Sequence, residues 1–200
     1  MMTVFPFTPE VKSIIRFRDQ MAGYEIRAIL SFKEHAVQLC EYQRQTGIFC
    51  TIEIEEALNQ CDCLLLMNNN TKQTLDKYHK TYEMAKNDGK EITMSMVLWH
   101  EMFPDQEPDS QVHLLSNVEP VKEYFECSQL LEIQVPIVAV MGLGESCDKF
   151  ETQMQMKEAF KEKGYHAYSL SSNDLGSLFS MDTYPEFMHQ KNLSFSEKVF

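Results

Sequence analysis

The sequence has no apolar run that approaches the roughly 20 residues needed to span a bilayer, and it lacks the basic start and apolar stretch of a secretory signal. Basic residues are also scarce, because 18 lysines and arginines stand against 30 aspartates and glutamates, which gives a formal charge of −12. No lysine and arginine cluster offers a local exception. We therefore expect a cytoplasmic protein whose partners include neither membrane nor nucleic acid.

The cysteines form no CxxC pair and show no spacing typical of zinc ligands, so no metal site is expected. A chain of 200 residues with 44% hydrophobic residues can bury a core without covalent staples. We expect reduced thiols at all six positions, which are Cys40, Cys50, Cys61, Cys63, Cys127 and Cys147.

Strand and helix patterns alternate over the first two thirds of the chain. Thr8 and Pro9 indicate a helix entry, and Gly23 indicates its end. The unbroken apolar run 61–67 is typical of a parallel strand covered on both faces. Further strands are predicted over 3–5, 24–30, 91–98 and 111–115, with helices over 54–60, 71–87 and 118–131. The alternation predicts a Rossmann-like, doubly wound parallel α/β domain over residues 1–134.

A second α/β pattern begins at Val135. It predicts a strand over 136–141, a loop, a helix over 150–163 ended by Gly164, a strand over 165–170 and a short helix over 174–179. Residues 194–200 resemble a capped helix that stops in its first turns. We therefore expect residues 135–200 to be the start of a P-loop-like unit, and the chain to be the amino-terminal portion of a longer protein.

The strand-loop-helix segment has the layout of a phosphate-binding loop. Such a loop needs small residues for close approach, a lysine to offset charge and a hydroxyl to hold magnesium. The candidate cofactor-binding residues are Gly142, Gly144, Ser146, Lys149 and Thr152. Six residues separate Gly142 from Lys149, a spacing that resembles the loop of dethiobiotin-synthetase-like P-loop proteins.

Two neighbours of Lys149 damage this chemistry. Asp148 places a carboxylate where a phosphate would sit, and Phe150 occupies the position of the magnesium-binding hydroxyl residue. The segment therefore predicts a degenerate P-loop of doubtful competence for ATP and magnesium. Its glycines also fit a tight strand-to-helix turn with no ligand. Cys147 lies near the helix start beside Lys149, an environment that favours a reactive thiol.

Polar side chains follow two of the predicted strands, where open α/β sheets usually bind ligands. The amide and hydroxyl groups of the first set could hold a polar ligand, and an ordinary capped loop explains them equally well. A histidine and a glutamate follow the other strand and could perform acid-base chemistry or sit in solvent. The first set is Asn68, Asn69, Asn70 and Thr71, and the second is His100 and Glu101.

Several stretches together resemble the peptide maturation system protein found with ribosomally made, bacteriocin-type peptide clusters of clostridia and relatives. They are residues 5–10 (FPFTPE), 16–19 (RFRD), 23–26 (GYEI), 138–145 (VAVMGLGE) and 149–153 (KFETQ). The resemblance covers nearly the whole chain. Members usually carry a histidine in the loop before a Tyr/Phe-Pro element, where this chain has Asp182.

This resemblance implies a cytoplasmic accessory protein that works beside a radical SAM maturation enzyme. It would bind the precursor peptide or that enzyme, and its own reaction is unassigned. The alternative is an ATP-dependent enzyme whose remaining catalytic residues lie in a missing carboxyl-terminal part. A third hypothesis is a small cofactor bound near Asn68, Thr71 and His100.

Overall fold

A computed structural model describes residues 1–68, 75–115, 134–142 and 147–183. The chain divides into two compact units, one of Met1–Leu115 with Leu178–Ser180 and the other of Ser116–Ser177 with Met181–Phe200. The predicted boundary at residue 134 stays a prediction, because residues 116–133, with the predicted helix 118–131, lie outside the described residues.

The first unit contains β1 (Met2–Phe5), α1 (Pro9–Arg16), β2 (Ile26–Leu30), α2 (Ala36–Thr46), β3 (Phe49–Thr51), α3 (Ile54–Leu58), β4 (Cys63–Leu66), α4 (Leu75–Asn87), β5 (Glu91–Met94), α5 (Met96–Met102) and β6 (Val112–Leu114).

The first unit is built on a six-stranded sheet in the order β3-β2-β1-β4-β5-β6. Every pair of neighbouring strands is parallel, and β1 lies in register with β4, so that Phe5 pairs with Leu66. This order and the crossover helices are those of a Rossmann-like fold, which confirms the predicted fold class. From β1 the chain adds strands β2 and β3 on one side, and from β4 it adds β5 and β6 on the other, so the direction of strand addition reverses between β1 and β4.

The core on one face of the sheet follows from the alternation of side chains along each strand. Phe5, Leu64 and Leu66 point to this face, and α3, α4 and α5 cover it. Tyr78 and Trp99 from these helices are almost fully buried there. The intervening residues Val4, Ile29 and Leu65 are also buried, so the central strands are covered on both faces.

Helix α1 begins with Pro9 at its first position, as predicted, because a missing N–H costs nothing there. Val11, Ile14 and Ile15 bury one face of it. The helix ends at Arg16 rather than near Gly23, and the chain continues as a 3-10 turn over Arg18–Gln20.

No element was predicted between the strands 24–30 and 61–67 other than the helix 54–60, and the structure has α2 and β3 there as well. Helix α2 buries only Leu39, so its sequence lacks a strong apolar stripe. Gly47 ends α2 in the left-handed region at φ 72°, and its N–H donates to the Gln43 carbonyl at 2.8 Å. Strand β3 has three residues at the edge of the sheet, too few to show a clear pattern.

The predicted strand 91–98 is wrong in its second half. Strand β5 ends at Met94, and Ser95 caps α5 by accepting a hydrogen bond from the Leu98 N–H at 3.2 Å. A serine side chain at this position satisfies one of the free N–H groups of the helix start. The apolar residues after Ser95 therefore belong to a helix.

The second unit keeps the predicted helix and departs from the predicted strands. Helix α6 spans Lys149–Glu162, and Gly164 follows it at φ 78°. Residues 134–142 form no strand, and Ile137 and Met141 are exposed, so the predicted buried strand 136–141 is wrong. Of the predicted strand 165–170 only the last residue lies in β7 (Leu170–Ser171), which pairs with β8 (Asp182–Thr183). A 3-10 helix over Asp174–Phe179 matches the predicted short helix.

Candidate functional site

The first candidate site is the carboxyl edge of the sheet, at the point where the strand order reverses. The chain leaves β1 toward one face and β4 toward the other, which opens a crevice in folds of this kind. Asn68 follows β4 here and is exposed, whereas Asn69, Asn70 and Thr71 lie outside the described residues. Thr8 at the start of α1 carries a buried hydroxyl that no described residue contacts by a hydrogen bond. A polar ligand at the switch point could satisfy that hydroxyl.

A hydrogen-bond relay joins the loops after β1 and β2. The Phe7 N–H donates to Ser31 Oγ at 3.3 Å, and Ser31 Oγ lies 2.9 Å from His35 Nδ1. The serine oxygen has two lone pairs, so it can accept from Phe7 and either donate to Nδ1 or accept from it, and the direction of this second bond depends on the tautomer of His35. Ser31 is completely buried, so the relay orients His35 and does not offer an accessible serine nucleophile.

Lys77 on α4 forms hydrogen bonds to the residues that follow β2 and β3, and so connects the ends of these two strands. Its ammonium donates to the carbonyls of Ser31 at 2.7 Å and Ile52 at 3.1 Å. It also lies 5.8 Å and 5.5 Å from the ring centres of Phe5 and Phe32. Burial lowers the pKa of this lysine, and the carboxylate charges of the neighbourhood act in the opposite direction. The contacts assign Lys77 a structural role at the edge.

Tyr78 holds the end of β4 in a similar way. Its hydroxyl donates to the Met67 carbonyl at 2.6 Å, and its ring packs 4.9 Å from Phe5. Burial raises its pKa well above the ordinary tyrosine value. The described lysine and tyrosine at this edge are thus both committed to holding strand ends in place.

The sequence analysis predicted that His100 and Glu101 follow a strand, and this prediction is wrong. Both lie within α5 and are exposed on its surface. The neighbouring Trp99 is buried, and its indole N–H donates to the Gln106 carbonyl at 2.8 Å. Both residues lie in a helix because Ser95 caps α5 directly after β5. They therefore do not lie at the strand end, as the acid-base hypothesis required.

The phosphate-loop-like segment is described in part, and it lacks the strand before the loop, so the predicted strand-loop-helix layout is wrong in its first element. Gly144 and Ser146 lie outside the described residues, while Gly142, Lys149 and Thr152 lie within them. A Cβ added at Gly142 would lie 2.8 Å from the Cys147 Cβ and 2.9 Å from the Lys149 Cδ. The lysine stem therefore lies against the glycine backbone, and a larger residue at this position would displace Lys149 or Cys147.

The start of α6 carries the acidic residues that the sequence placed there. Asp148 precedes the helix in the left-handed region at φ 49°, and its side chain makes no capping hydrogen bond. Its carbonyl accepts from the Thr152 N–H at 2.9 Å, so Thr152 lies one turn into the helix. Glu151 adds a second carboxylate to the first turn. Negative charge at a helix start is stabilising on its own and unfavourable for a phosphate.

The second candidate site is a groove between α1 and α2, which sequence reasoning missed. It has a volume of about 380 Å³ and adjoins a cavity of about 480 Å³ near the starts of β2 and β3. Both are open to solvent and have a mostly polar lining. The groove is lined by Lys12, Ile15, Arg16, Arg18, Asp19, Tyr42, Gln45 and Thr46. The adjoining cavity adds Met21, Tyr24, Glu25, Ile26, Arg27, Gly47 and Ile48.

The groove is basic within an acidic chain. Lys12 and Arg16 lie one turn apart on α1, Arg18 lies on the 3-10 turn that follows, and Asp19 is the single carboxylate of the lining. Burial raises the pKa of the Tyr42 phenol, and the nearby Arg18 charge acts in the opposite direction. In the adjoining cavity Arg27 is paired with Glu25 at 2.9 Å. Lys12 and Arg16 are not contiguous in the sequence, and their spacing of four residues on a helix is the signal that indicates a shared basic face.

Within the described ranges, no group of three or more histidine, cysteine, aspartate and glutamate side chains is arranged to hold a metal ion. None of the described helices combines the length and apolar character needed to cross a membrane. No family model, no curated protein and no solved structure matches the chain. The functional argument therefore depends on the geometry above and on the sequence.

Proposed function

We propose that this chain is an accessory protein in the maturation of a ribosomally synthesised peptide, and that it binds the precursor peptide or its radical SAM maturation enzyme. The observation that carries the proposal concerns the stretches 16–19 and 23–26, by which the chain resembles peptide maturation system proteins. Most of their side chains line the groove and its adjoining cavity, namely Arg16, Arg18, Asp19, Tyr24, Glu25 and Ile26.

The placement of these residues supports binding over a purely structural role. Arg16, Arg18 and Asp19 are exposed, whereas Phe17 between them is buried in the unit. Their exposed charged groups are therefore accessible to a ligand, which the buried Phe17 is not. A surface of this kind suits a segment of a protein partner.

The phosphate-loop-like segment fits a binding protein with weak or absent nucleotide affinity. Asp148 and Glu151 put two carboxylates at the start of α6, where a phosphate would have to approach. Like charges repel each other, so these two carboxylates offset the attraction that Lys149 offers to a phosphate. This arrangement opposes a triphosphate even though Lys149 is present.

Isothermal titration calorimetry tests the proposal. The chain is titrated with a precursor peptide and a radical SAM maturation enzyme of the resembled kind of cluster, and separately with ATP-Mg and ADP. We expect micromolar binding of the peptide or the enzyme without nucleotide. No binding of either component, with or without nucleotide, would contradict the proposal. The variant Lys149→Ala serves as a control and should bind the peptide or enzyme as the wild-type chain does.

A second candidate function, an ATP-dependent enzyme, is favoured by the contact between Gly142 and the stem of Lys149. A lysine folded against the loop glycine is compatible with a phosphate-binding role. In that case ATP-Mg binds with micromolar affinity, Lys149→Ala abolishes the binding, and phosphate is released in the presence of the peptide and the enzyme. A chain without ATP affinity in all of these mixtures would exclude this candidate.

A further inference from the structure

We infer that residues 135–141 pair as an antiparallel β-strand with the same residues of a second copy of this chain, which makes the protein a two-fold symmetric dimer. The inference goes beyond the proposed function and is independent of it, because the segment lies in the second unit and outside the groove. The partner at this surface is an identical strand, and identical surfaces meet across a two-fold axis.

The segment has the sequence of a strand but no neighbouring strand. Residues 135–141 read VPIVAVM, in which β-branched residues predominate, and such residues favour strands. Over 136–142 the chain nevertheless forms neither helix nor strand. Within the described ranges, the backbone groups of residues 135–141 make no hydrogen bond. Unpaired N–H and C=O groups of this kind are a template on which another strand can pair.

Apolar side chains of this segment are exposed one after another. Val135 and Ile137 are each 69% exposed, Val138 is 57% exposed and Met141 is 86% exposed. The exposed large apolar residues of the first unit, in contrast, are single residues far apart in the sequence. Single exposed apolar residues are normal on a protein surface, whereas a contiguous group indicates a contact surface.

A second exposed apolar segment of the same unit follows α6. Tyr168 is 87% exposed, and Tyr165 and Leu170 are 65% and 53% exposed. This segment lies along α6, because the Tyr165 ring lies 6.2 Å from the Phe160 ring. The Leu170 carbonyl accepts a hydrogen bond from Gln153 Nε2 at 2.8 Å. At about 100 Å² for each large apolar side chain, the two segments offer on the order of 700 Å² of apolar surface. A standard interface buries about 800 Å² on each partner, so this surface is sufficient for a stable dimer.

Charge favours these two segments over the remaining surface for contact between copies. The whole chain has a formal charge of −12, so two copies repel each other in most orientations. Residues 134–143 and 165–170 contain no aspartate, glutamate, lysine or arginine. Contact through them therefore brings no like charges together and buries no unpaired charge. The remaining repulsion between copies is screened by salt, so the dimer should become tighter as the salt concentration rises.

Pro136 determines which edge of the segment pairs. In an antiparallel strand the N–H groups of alternate residues point to the same edge. The edge of Ile137 and Ala139 keeps its donors, whereas Pro136 removes one donor from the edge that it shares with Val138. Pairing at the first edge leaves the proline edge outside, where it opposes the addition of a third strand. The assembly therefore closes at two copies.

Full overlap of residues 135–141 with their copy places the two-fold axis at Val138. Ile137 of one copy then forms a hydrogen-bonded pair with Ala139 of the other. Val138 lies opposite Val138 of the second copy in a non-hydrogen-bonded pair, whose Cα atoms are about 4.5 Å apart. A charge introduced at residue 138 would therefore meet its own copy at close range.

Sedimentation equilibrium of the complete chain tests the inference. We expect a monomer–dimer equilibrium with a dissociation constant of about 10 μM or lower. Val138→Lys should weaken dimerisation by about tenfold or more, because two like charges then oppose each other directly. The matched control Val37→Lys changes a valine of α2 that is 82% exposed, and it should dimerise as the wild-type chain does. An equal mixture of Val138→Lys and Val138→Glu should dimerise more tightly than either variant alone.

Two proline variants distinguish strand pairing from unspecific apolar contact. Ala139→Pro removes an N–H that faces the second copy, whereas Val140→Pro removes an N–H that faces outward. We expect Ala139→Pro to weaken dimerisation by about tenfold or more and Val140→Pro to retain most of the wild-type affinity. Circular dichroism and thermal unfolding of every variant verify that the fold is intact.

A wild-type chain that stays monomeric at about 100 μM would overturn the inference. Equal losses in Val138→Lys and Val37→Lys, or equal losses in the two proline variants, would also overturn it, as would growth into assemblies larger than a dimer. None of these outcomes bears on the proposed function, which calorimetry with the precursor peptide and the enzyme tests separately. A dimer that binds neither component would leave this inference standing while the proposed function fails.

Discussion

Replacing Tyr78 with phenylalanine is expected to destabilise the first unit by about 1–3 kcal/mol. Tyr78 is 1% exposed, and its hydroxyl donates to the Met67 carbonyl at 2.6 Å. Phenylalanine keeps the ring and its packing against Phe5 and Phe32, whose ring centres lie 4.9 Å and 6.4 Å away. The substitution therefore isolates one hydrogen bond at the end of β4.

The magnitude follows from what is lost. The substitution removes the donor and leaves the Met67 carbonyl without this partner, and an unsatisfied buried acceptor costs about 1–3 kcal/mol, compared with about 1 kcal/mol for the net contribution of a typical hydrogen bond. For a domain near the size of the first unit, each kcal/mol lowers the melting temperature by about 4–8 °C. Urea unfolding followed by circular dichroism gives the free energy difference, and a calorimetric scan gives the temperature.

The stability that Tyr78 contributes should fall as the pH rises. Burial, and to a smaller extent the charge of Glu101, raises the pKa of Tyr78 above its ordinary value of 10.0. As the pH rises above about 10, the unfolded chain ionises first, so the stability that the buried phenol contributes below this pH is progressively lost. The phenylalanine variant has no phenol at this position, so its stability does not fall for this reason. The stability difference between wild type and variant should therefore narrow above pH 10.

Tyr168→Phe provides the control, because that side chain is 87% exposed. It should leave both stability and its pH dependence unchanged. A Tyr78→Phe variant as stable as the wild-type chain, with an unchanged denaturant slope, would refute the role assigned to the hydroxyl. A difference that stays constant between pH 8 and pH 11 would refute the ionisation argument.

Two further predictions concern the braced strand ends and the thiols. Lys77→Met should lower the free energy of unfolding by about 1–2 kcal/mol, since it removes two hydrogen bonds to carbonyls, whereas the exposed Lys80→Met should be neutral in the same urea titration. Equal stabilities would contradict the brace. Burial raises the pKa of Cys50 to about 11, so iodoacetamide at pH 8 should alkylate it more slowly than the exposed Cys40 and Cys147 in a peptide mass-spectrometry time course. Similar rates for Cys50 and Cys40 would contradict the assigned burial.

The sequence predicted those elements of the first unit whose own residues carry a strong signal. The apolar run 61–67 contains β4, and Pro9 begins α1. Helix α2 was missed because it buries only Leu39, which leaves almost no periodic pattern. The apolar residues after Ser95 continued the pattern of β5, and the serine cap alone marks the change to a helix.

The sites were less predictable than the fold. The sequence identified Asn68 at the end of β4, and the structure places it at the switch point of the sheet. It placed His100 at a strand end, and the structure places it on a helix surface. The role of Lys77 at two strand ends was not recognised, because 46 residues separate it from Ser31 and 25 residues separate it from Ile52 along the chain.

The sequence by itself determined that the first part of this chain forms a parallel α/β sheet, because strand patterns alternate with helix patterns along it, and each pattern is a local property of its own residues. Only the tertiary structure decided which polar and charged groups share a surface. Lys12, Arg16 and Arg18 become one wall of a groove when α2 packs beside α1 and places Tyr42 opposite them. Proximity of this kind depends on strand order and helix packing, and the spacing of residues along the chain does not encode it.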